Sequence, residues 1–366
     1  MESWRYIEDD GVTASFGLAA DELLLRSAAQ GGPTALRLYT YRPHAALVGR
    51  FQNMEAELRL DECQLLGADV NRRLTGGGAI IMGDAQLGLA LAIPPADSLR
   101  THDPALLFQR YAAPIIDGLR ALGAAASFRP KNDIEVGGKK IAGLGLYADE
   151  QRALLFHTSI LVDLDVALML RLLNLAPEKI SDKHIASFEE RLTTVRRVAA
   201  RQIAVEDVRQ AIRSAFEQDR GVRLEPRPFT ADEMTAIRQL EERRYCSPDW
   251  IFQRTPPLDA RGSSVCKTEA GLLRVYVSLA GWVLKSVVIT GDFFGDRQAL
   301  RDLEARLKWG SGAPDSVKRT VEEAWAETPR SPIWGLSPAA LTEAILAAIA
   351  DARRSAGLPQ EAVTDA

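Results

Sequence analysis

The sequence contains few residues of the kinds that build metal or disulfide sites. Its 366 residues include only three cysteines and four histidines. The cysteines are widely spaced, so they predict neither a disulfide framework nor a zinc site. No two histidines have the H-x-x-H or H-x-x-x-H spacing that places two metal ligands on one face of a helix. The cysteines are Cys63, Cys246 and Cys266.

The sequence also lacks an excess of charge of one sign and any long apolar run. It has 45 Lys and Arg against 49 Asp and Glu, a net charge of −4, whereas binding to nucleic acids or membranes favours clustered Lys and Arg. No apolar stretch approaches the ~18 residues needed to cross a bilayer. The acidic N-terminus MESWRYIEDDG does not resemble a signal peptide. We therefore expect a cytoplasmic protein that binds neither nucleic acid nor membrane.

Apolar residues follow helical and strand periods in mixed order, which predicts an α+β fold. A helical stripe covers residues 18–29, and alternation predicts strands over residues 79–82, 87–93 and 154–161. Two prolines in residues 224–229 indicate a domain boundary. The predicted organisation is a first domain over residues 1–223, a second over 224–355 and a flexible tail over 356–366.

Two arginines and a threonine precede three glycines in the segment RRLTGGGA, residues 72–79. Glycines let a backbone approach a ligand closely, and consecutive N–H groups form a nest that binds anions. Arg73 beside that nest would add a charge-assisted fork for a phosphate. An ordinary glycine-rich turn with solvated arginines has the same composition, and this segment alone does not separate the two interpretations.

The segment KNDIEVGGKKIAG, residues 131–143, predicts a β-hairpin that turns at its two adjacent glycines. Lys139 and Lys140 alternate on the second strand, so only one of them can face a cleft and hold a phosphate or carboxylate. Asn132 and Asp133 supply oxygen donors of the kind that Mg²⁺ binds. A solvated hairpin is the alternative.

Two further stretches have a functional and a structural interpretation. His157 lies with two hydroxyl residues in the predicted apolar strand LLFHTSIL, and a single strand histidine is more often structural than catalytic. The stretch GLGLYA, residues 143–148, matches the dinucleotide pattern G-x-G-x-x-A, with Asp165 about 20 residues further on. That motif must connect a buried strand to a helix, whereas both flanks here predict strand. We therefore reject a dinucleotide site.

Taken in order, these segments resemble the lipoate–protein ligase family, which has the biotin/lipoate ligase catalytic fold. The second half resembles the family's accessory domain through YCSPDW (245–250) and ITGDFF (289–294). The resemblance implies a mixed-sheet catalytic domain with packed helices and a smaller α+β C-terminal accessory domain. The matching segments of the first half are ADE (20–22), GRFQN (49–53), RRLTGGG (72–78), NDI (132–134), KIAG (140–143) and His157.

The resemblance implies an ATP-dependent, AMP-forming lipoate–protein ligase. Lipoate, or a related medium-chain acid, would be activated as an acyl-adenylate, with ATP and Mg²⁺ as cosubstrates. The acyl group would then pass to a lysine of a lipoyl-carrier domain, such as a 2-oxoacid dehydrogenase subunit or a glycine-cleavage carrier. Two anions must meet in this reaction, so a cation between them would lower the barrier.

The resemblance also implies roles for individual residues, with Lys140 as the catalytic residue. The implied nucleotide-binding residues are Arg73, Gly78, Ala79, Ile80, Ile81 and Lys140. The implied lipoate-binding residues are Arg73, Thr75, Gly76, Gly77, Gly78, Lys140 and His157. Asn132 and Asp133 would bind the metal. Met82 and Gly83 stand where many relatives have a His-Asp pair, which bears on the choice of acyl substrate.

An octanoyl or lipoyl transferase of the same fold is the main alternative. That mechanism needs a nucleophilic cysteine, and the one cysteine in the predicted catalytic half, Cys63, lies in a predicted amphipathic helix where it reads as a packing residue. The accessory domain also favours the ligase.

A non-catalytic binder of lipoyl carriers is a second alternative. A biotin ligase fits less well, because its relatives have G-R-G-R-x-x-x-W where this chain has Arg73-Leu74-Thr75-Gly76.

Overall fold

The computed structural model describes residues 2–97, 103–174, 190–199, 201–328 and 331–356. The chain forms two compact units. The first unit comprises Met1–Leu47, Glu57–Thr75 and Ile80–Ile251, and the second comprises Val48–Ala56, Gly76–Ala79 and Phe252–Ala366. Of the predicted tail over 356–366, all but Ala356 lies outside the described residues. In the described parts of the chain, no helix is long and apolar enough to cross a membrane.

The strands form three sheets among the described residues. The largest has eight strands in the order β11-β1-β2-β6-β10-β9-β8-β7, and a three-stranded sheet has the order β4-β3-β5. The third sheet, β12-β13-β14, belongs to the second unit. The strands are β1 (Glu2–Val12), β2 (Ala35–Tyr41), β3 (Ala45–Val48), β4 (Asp69–Arg72), β5 (Ile80–Met82), β6 (Gln86–Ile93), β7 (Ser127–Arg129), β8 (Asp133–Val136), β9 (Lys139–Ala148), β10 (Leu154–Leu161), β11 (Val222–Pro226), β12 (Gly262–Lys267), β13 (Leu272–Ala280) and β14 (Val283–Gly291).

Several helices begin where the sequence supplies a cap or a proline. Thr13 and Asp103 accept hydrogen bonds from first-turn amides, and proline opens four helices at the position where its missing N–H costs nothing. The helices of the described residues are α1 (Ala14–Ala29), α2 (Met54–Glu57), α3 (Leu60–Leu65), α4 (Pro104–Ala121), α5 (Val166–Leu172), α6 (Val195–Ala199), α7 (Val205–Arg220), α8 (Ala231–Leu240), α9 (Pro248–Ile251), α10 (Arg297–Leu307), α11 (Pro314–Glu327) and α12 (Pro338–Ser355). A π-helical turn, Glu241–Tyr245, follows α8.

The large sheet is mixed, as predicted. β1 pairs in parallel with both β2 and β11, and the remaining neighbours from β2 to β7 are antiparallel. Helix α1 packs on β2, β6 and β10, so it covers one face of the sheet. The apolar core on this face includes residues of α1, β2, β6 and β10.

A buried arginine lies under α1 in this core. Arg37 on β2 has no exposed surface and donates to Asp9 at 2.7 Å and to Asp21 at 2.8 Å. Its guanidinium also lies 4.2 Å from the centre of the Tyr39 ring. Asp21 belongs to the ADE segment, as does Glu22, whose carboxylate accepts from Arg244 and from the Tyr245 hydroxyl. The acidic pair of that segment therefore stabilises the first unit.

The first unit extends further along the chain than the predicted boundary at residue 224. β11 pairs with β1, with Val222 opposite Glu2 and Leu224 opposite Trp4, so the sheet includes residues on both sides of the boundary. Helix α8 and the π-helical turn after it pack on α1. The first unit therefore ends at Ile251, and the prolines near residue 224 lie in a strand and the loop that follows it.

The second unit has its own apolar core. It packs residues of β13 and β14 against helices α10, α11 and α12. Two segments from the first quarter of the chain belong to this unit. In one of them, the Phe51 ring stacks on the Phe293 ring with their centres 5.0 Å apart.

Candidate functional site

A β-bulge decides which lysine of the hairpin faces the candidate site. The hairpin turns at Gly137 and Gly138, both with positive φ, as adjacent glycines favour. Ile134 pairs with Ala142, but the next residue of β8, Glu135, pairs with Lys140. β9 therefore has one extra residue at this point, which reverses the alternation of its side chains. The bulge turns Lys140 towards the face on which Gly143 would carry its side chain.

The ammonium group of Lys140 lies on this face of the sheet. A Cβ atom added to Gly143 would lie 2.8 Å from Lys140 Nζ, so the absence of a side chain at Gly143 makes room for the lysine. Lys140 Nζ is 2.8 Å from Asp133 Oδ1, and Asp133 lies opposite Gly143 on β8. The lysine side chain is 33% exposed, so its charge remains accessible to a ligand. The prediction that only one of the two lysines faces the site agrees with this geometry.

Thr75 and His157 form a polar pair on the same face. Thr75 Oγ1 and His157 Nε2 are 2.9 Å apart. His157 lies opposite Gly145 on β9 and opposite Ala90 on β6, so both of its neighbours across the sheet are small. A Cβ atom at Gly145 would overlap the His157 ring and would also lie 2.9 Å from Thr75 Oγ1.

Alternate glycines therefore form the floor of the candidate site. Gly143 and Gly145 are two residues apart on β9, so they face the same side of the sheet, with Lys140 beside the first and His157 beside the second. Ser159 also faces this side, because it lies opposite Gly143 on β10. Gly143, Gly145 and Ser159 are not among the site residues predicted from the sequence. The G-x-G spacing was the available signal, interpreted there as a failed dinucleotide motif.

The electrostatic environment keeps His157 neutral. Burial of the ring and the positive charge of Arg73 lower the pKa of His157 to about 3. Burial also lowers the pKa of Arg73 to about 10, so its guanidinium remains charged at neutral pH. The Thr75–His157 pair therefore consists of two uncharged groups near a fixed positive charge.

The two arginines before the glycines have different positions. Arg72 is fully buried and donates to the backbone carbonyls of Trp250 and Ile251, so it stabilises the fold. Arg73 Nη1 donates to the carbonyl of Leu47 at 2.7 Å, and Leu47 pairs with Ile80 on β5. Of the residues predicted to bind a nucleotide, Arg73, Ile80 and Ile81 therefore lie at or beside β3.

The remaining predicted residues of this segment, Gly76 to Ala79, belong to the second unit. Gly77 donates its N–H to the carbonyl of Phe293 at 3.3 Å, and a Cβ atom at Gly76 would overlap that carbonyl. A side chain at Gly49 would likewise overlap the carbonyl of Gly77. Within the second unit, these glycines thus permit close approach of protein backbone.

The residues predicted to bind Mg²⁺ do not fit a metal ion. Both carboxylate oxygens of Asp133 already face cations, with Oδ1 next to Lys140 and Oδ2 accepting from Arg129 at 2.5 Å. Burial would raise the pKa of Asp133, but Lys140 and Arg129 outweigh it and lower that pKa. Asn132 donates its amide to the carbonyl of Leu144. In the described part of the chain, no group of three His, Cys, Asp or Glu side chains is arranged to hold a metal.

The comparison with protein families covers most of the first unit. The model of the lipoyl protein ligase A/B catalytic domain matches residues 13–217, which is more than half of the chain. The chain belongs to this family. The resemblance inferred from the motifs is therefore confirmed.

Curated relatives align with the chain over almost their entire length. Octanoyltransferase LipM of Brevibacillus brevis is 27% identical over 278 residues, which is 69% of this chain and 100% of that protein. Octanoyltransferase LipM of Bacillus subtilis is 25% identical over 280 residues, which is 69% of this chain and 99% of that protein.

Solved structures confirm the fold. A bipartite lipoate protein ligase from Thermoplasma acidophilum, described with its E2 lipoyl domain, is 25% identical with a TM-score of 0.63, over 70% of this chain and 100% of that one. LipL1 of Plasmodium falciparum, in complex with lipoate, has a TM-score of 0.68 at 17% identity over 87% of this chain and 94% of that one. Because LipL1 is only 17% identical to this chain, its similarity concerns the fold alone.

The prediction of an ATP-dependent lipoate–protein ligase is wrong. The curated relatives described above are named octanoyltransferases, so the transferase alternative fits better. The ligase prediction depended on the lack of a suitable cysteine nucleophile and on the accessory domain. Neither feature is stronger evidence than the alignment with octanoyltransferases over almost their whole length. Binding of ATP stays a prediction.

Proposed function

We propose that this chain is an acyltransferase that moves an octanoyl or similar medium-chain acyl group from a carrier thioester to a lysine of a lipoyl domain. The observation that carries this proposal is the alignment with octanoyltransferases over 99–100% of their length. The similar Thermoplasma acidophilum ligase, described with its E2 lipoyl domain, supports a lipoyl domain as the acceptor. A thioester donor is already activated, so the reaction needs no nucleotide.

Lys140 is the proposed catalytic residue. Attack on a thioester places negative charge on the carbonyl oxygen, and a fixed cation near that oxygen stabilises the transition state more than the ground state. The Lys140 ammonium lies over Gly143, and the lysine side chain is 33% exposed. Asp133 holds it there through the ion pair. The ammonium is thus fixed in position before substrate binds.

Thr75 and His157 are proposed to position the acyl group. Because the imidazole is neutral, the pair offers hydrogen bonds without a charge that must be neutralised. The space over Gly143 and Gly145 is occupied by Lys140 and by the Thr75–His157 pair, so these glycines let the three side chains lie close to the β9 backbone. Burial is the larger cause of the lowered His157 pKa, and Arg73 is proposed to act on this site by adding its positive charge to that effect.

A transfer assay without nucleotide tests the proposal. Purified protein is mixed with octanoyl-acyl carrier protein and an apo-lipoyl domain, and the products are weighed by intact mass spectrometry. We expect the lipoyl domain to gain one octanoyl group, and we expect no gain when its acceptor lysine is changed to arginine. If the lipoyl domain binds but stays unmodified, the protein is a binder. If modification requires free acid and ATP, the transferase proposal is wrong.

A further inference from the structure

Lys140 belongs to a group of four charged side chains at one edge of the large sheet. Two of them are carboxylates that lie two residues apart on β8, so they face the same side of the sheet. The other two are cations, one from each strand next to β8. The four residues are Arg129 on β7, Asp133 and Glu135 on β8, and Lys140 on β9.

The strand register places Glu135, rather than Asp133, opposite Lys140. Glu135 pairs with Lys140 across β8 and β9, whereas Asp133 pairs with Gly143. Residues directly opposite each other in a sheet have Cβ atoms only about 5 Å apart, so their side chains readily interact. The register alone therefore favours an ion pair between Glu135 and Lys140.

The Lys140 side chain reaches the other carboxylate instead. Its Nζ lies 2.8 Å from Asp133 Oδ1, over the space that Gly143 leaves open. Among the described residues, Asp133 is the carboxylate with which Lys140 forms an ion pair. The position of the ammonium in the candidate site thus depends on which of the two carboxylates the lysine contacts.

Arg129 contacts both carboxylates and so accounts for this choice. Its Nη2 donates to Asp133 Oδ2 at 2.5 Å, and its Nη1 lies 3.5 Å from Glu135 Oε2. Arg129 lies opposite Asp133 across β7 and β8, and its planar, forked guanidinium suits two carboxylates at once. Asp133 is thereby shared between two cations, and Glu135 is paired with Arg129.

The four charges are only partly screened by solvent, because their side chains are between 17% and 41% exposed. A single exposed ion pair contributes little, whereas several charges in one network affect each other. Burial would raise the pKa of Asp133, but Lys140 and Arg129 outweigh it and lower that pKa. Two carboxylates are therefore balanced by two cations, and without Arg129 a single ammonium would face both.

On the basis of the proposed function, we propose that Arg129 is a positioning residue for acyl transfer, which keeps Glu135 from pairing with the Lys140 ammonium. Without Arg129, the lysine would turn to the carboxylate directly opposite it on β8 and would leave the space over Gly143. Two carboxylates would also neutralise its charge more fully. It would then stabilise the negative charge on the thioester carbonyl oxygen less well.

Removal of the arginine, and then of the competing carboxylate, tests the proposal. Arg129→Met is expected to lower kcat for octanoyl transfer about tenfold, with KM for the donor within about twofold of wild type. Arg129→Met/Glu135→Gln should recover kcat to within about threefold of wild type. A merely structural role of Arg129 gives no such recovery. An unchanged kcat in Arg129→Met, or a double variant as slow as Arg129→Met, overturns the proposal.

Arg227→Met is the matched control. Arg227 pairs with Glu225 at the same distance, 2.5 Å, beside β11 at the opposite edge of the same sheet. Its loss should change kcat by less than about twofold. Circular dichroism gives the folded fraction of each variant, and the rates are normalised to it. A tenfold loss in this control would show that any broken ion pair slows the enzyme, which contradicts a specific role of Arg129.

A crystal structure of Arg129→Met tests the same role without a transfer assay. Lys140 Nζ should contact Glu135 in the variant, whereas it contacts Asp133 over Gly143 in the wild type. A lysine that stays at Asp133 in the variant shows that the proposed role of Arg129 is wrong, even where acyl transfer occurs. If the wild-type protein transfers no acyl group, the proposed function fails, and this structure still decides whether Arg129 positions Lys140.

Discussion

His157 Nε2 and Thr75 Oγ1 are held 2.9 Å apart across a gap that exists because β9 has a glycine, Gly145, at this position. The histidine comes from the middle of β10, whereas the threonine follows β4 and lies 82 positions earlier in the chain. A buried polar pair of this kind costs stability unless each group finds its partner. Its geometry therefore depends on the packing of both sheets of the first unit.

Replacing the Thr75 hydroxyl tests the positioning role of this pair. Thr75→Val keeps the shape but leaves the imidazole without its partner, so we expect a loss of about 1–2 kcal/mol in the free energy of unfolding. We also expect transfer to slow roughly tenfold, mainly through a higher KM for the acyl donor. Thr75→Ser keeps the hydroxyl and should recover most of the rate. Equal KM values for the valine and serine variants would contradict the positioning role.

Lys140→Ala should slow acyl transfer by a factor of about 10²–10³, the range found when one stabilising donor is removed from an oxyanion. The loss should appear in kcat, because the cation acts mainly in the transition state. Lys139→Ala is the matched control, since the bulge turns this neighbour to the other face, and its rate should stay within twofold of wild type. Similar losses in both variants, measured by intact mass of the lipoyl domain, would mean that the bulge does not select Lys140.

The contrast between these lysines shows where sequence reasoning reached its limit. The sequence predicted the hairpin, its turn and the fact that a single lysine faces the site. It contained no sign of the bulge, because the residues around Ile141 resemble an ordinary strand and the extra residue is visible only in the pairing with β8. Lys140 was chosen from family resemblance, and the geometry now supplies a physical reason for that choice.

Two other predictions differ from the structure: the domain boundary near residue 224 and the role of the three glycines. Long-range strand pairing explains the first difference, and the two possible roles of glycine explain the second. Nothing in residues 222–226 indicates that they pair with β1, more than 200 positions earlier, so the prolines were interpreted as a domain boundary. Three consecutive glycines suit an anion nest and a close backbone contact equally well. In the second unit, Gly76 and Gly77 approach the backbone of Phe293. Local composition cannot separate these two uses.

Gly145→Ala should disrupt the site more than its single methyl group suggests. The new Cβ would overlap the His157 ring, which is confined between β6 and β9. We expect a loss of about 1–3 kcal/mol in the free energy of unfolding and a strong loss of transfer. Urea unfolding and the transfer assay measure the two effects. A variant with wild-type stability and rate would show that the Thr75–His157 pair does not need the space at Gly145.

The pKa of His157 predicts how stability depends on pH. The folded-state pKa of about 3 lies below the ordinary value, so between about pH 6.5 and 3 the unfolded chain binds a proton that the folded chain does not. Stability should therefore fall as pH falls through this window, by at most about 1.4 kcal/mol per pH unit from this residue. His157→Gln removes that contribution, so its stability should fall less than that of wild type between pH 6.5 and 5. The NMR signal of the His157 imidazole is identified as the one that is missing from the spectrum of His157→Gln. In the wild type, this signal should not shift between pH 6.5 and 5. A midpoint near 6 for that signal would contradict the assignment.

Arg37→Met should destabilise the first unit severely without a direct effect on the site. Arg37 has no exposed surface and faces Asp9, which is partly exposed, and Asp21, which is buried, so removing its charge leaves the buried Asp21 carboxylate uncompensated, at a cost of about 3–5 kcal/mol. Arg42→Met is the matched control. Its ion pair with Asp84 is exposed on both sides, at 73% and 59%, so its loss should change stability by no more than about 0.5 kcal/mol. Urea unfolding curves for the three proteins compare these costs. If Arg37→Met unfolds at the wild-type midpoint, Asp9 of β1 and Asp21 of α1 must be neutral in the folded protein, and the ion pairs do not hold α1 on the sheet.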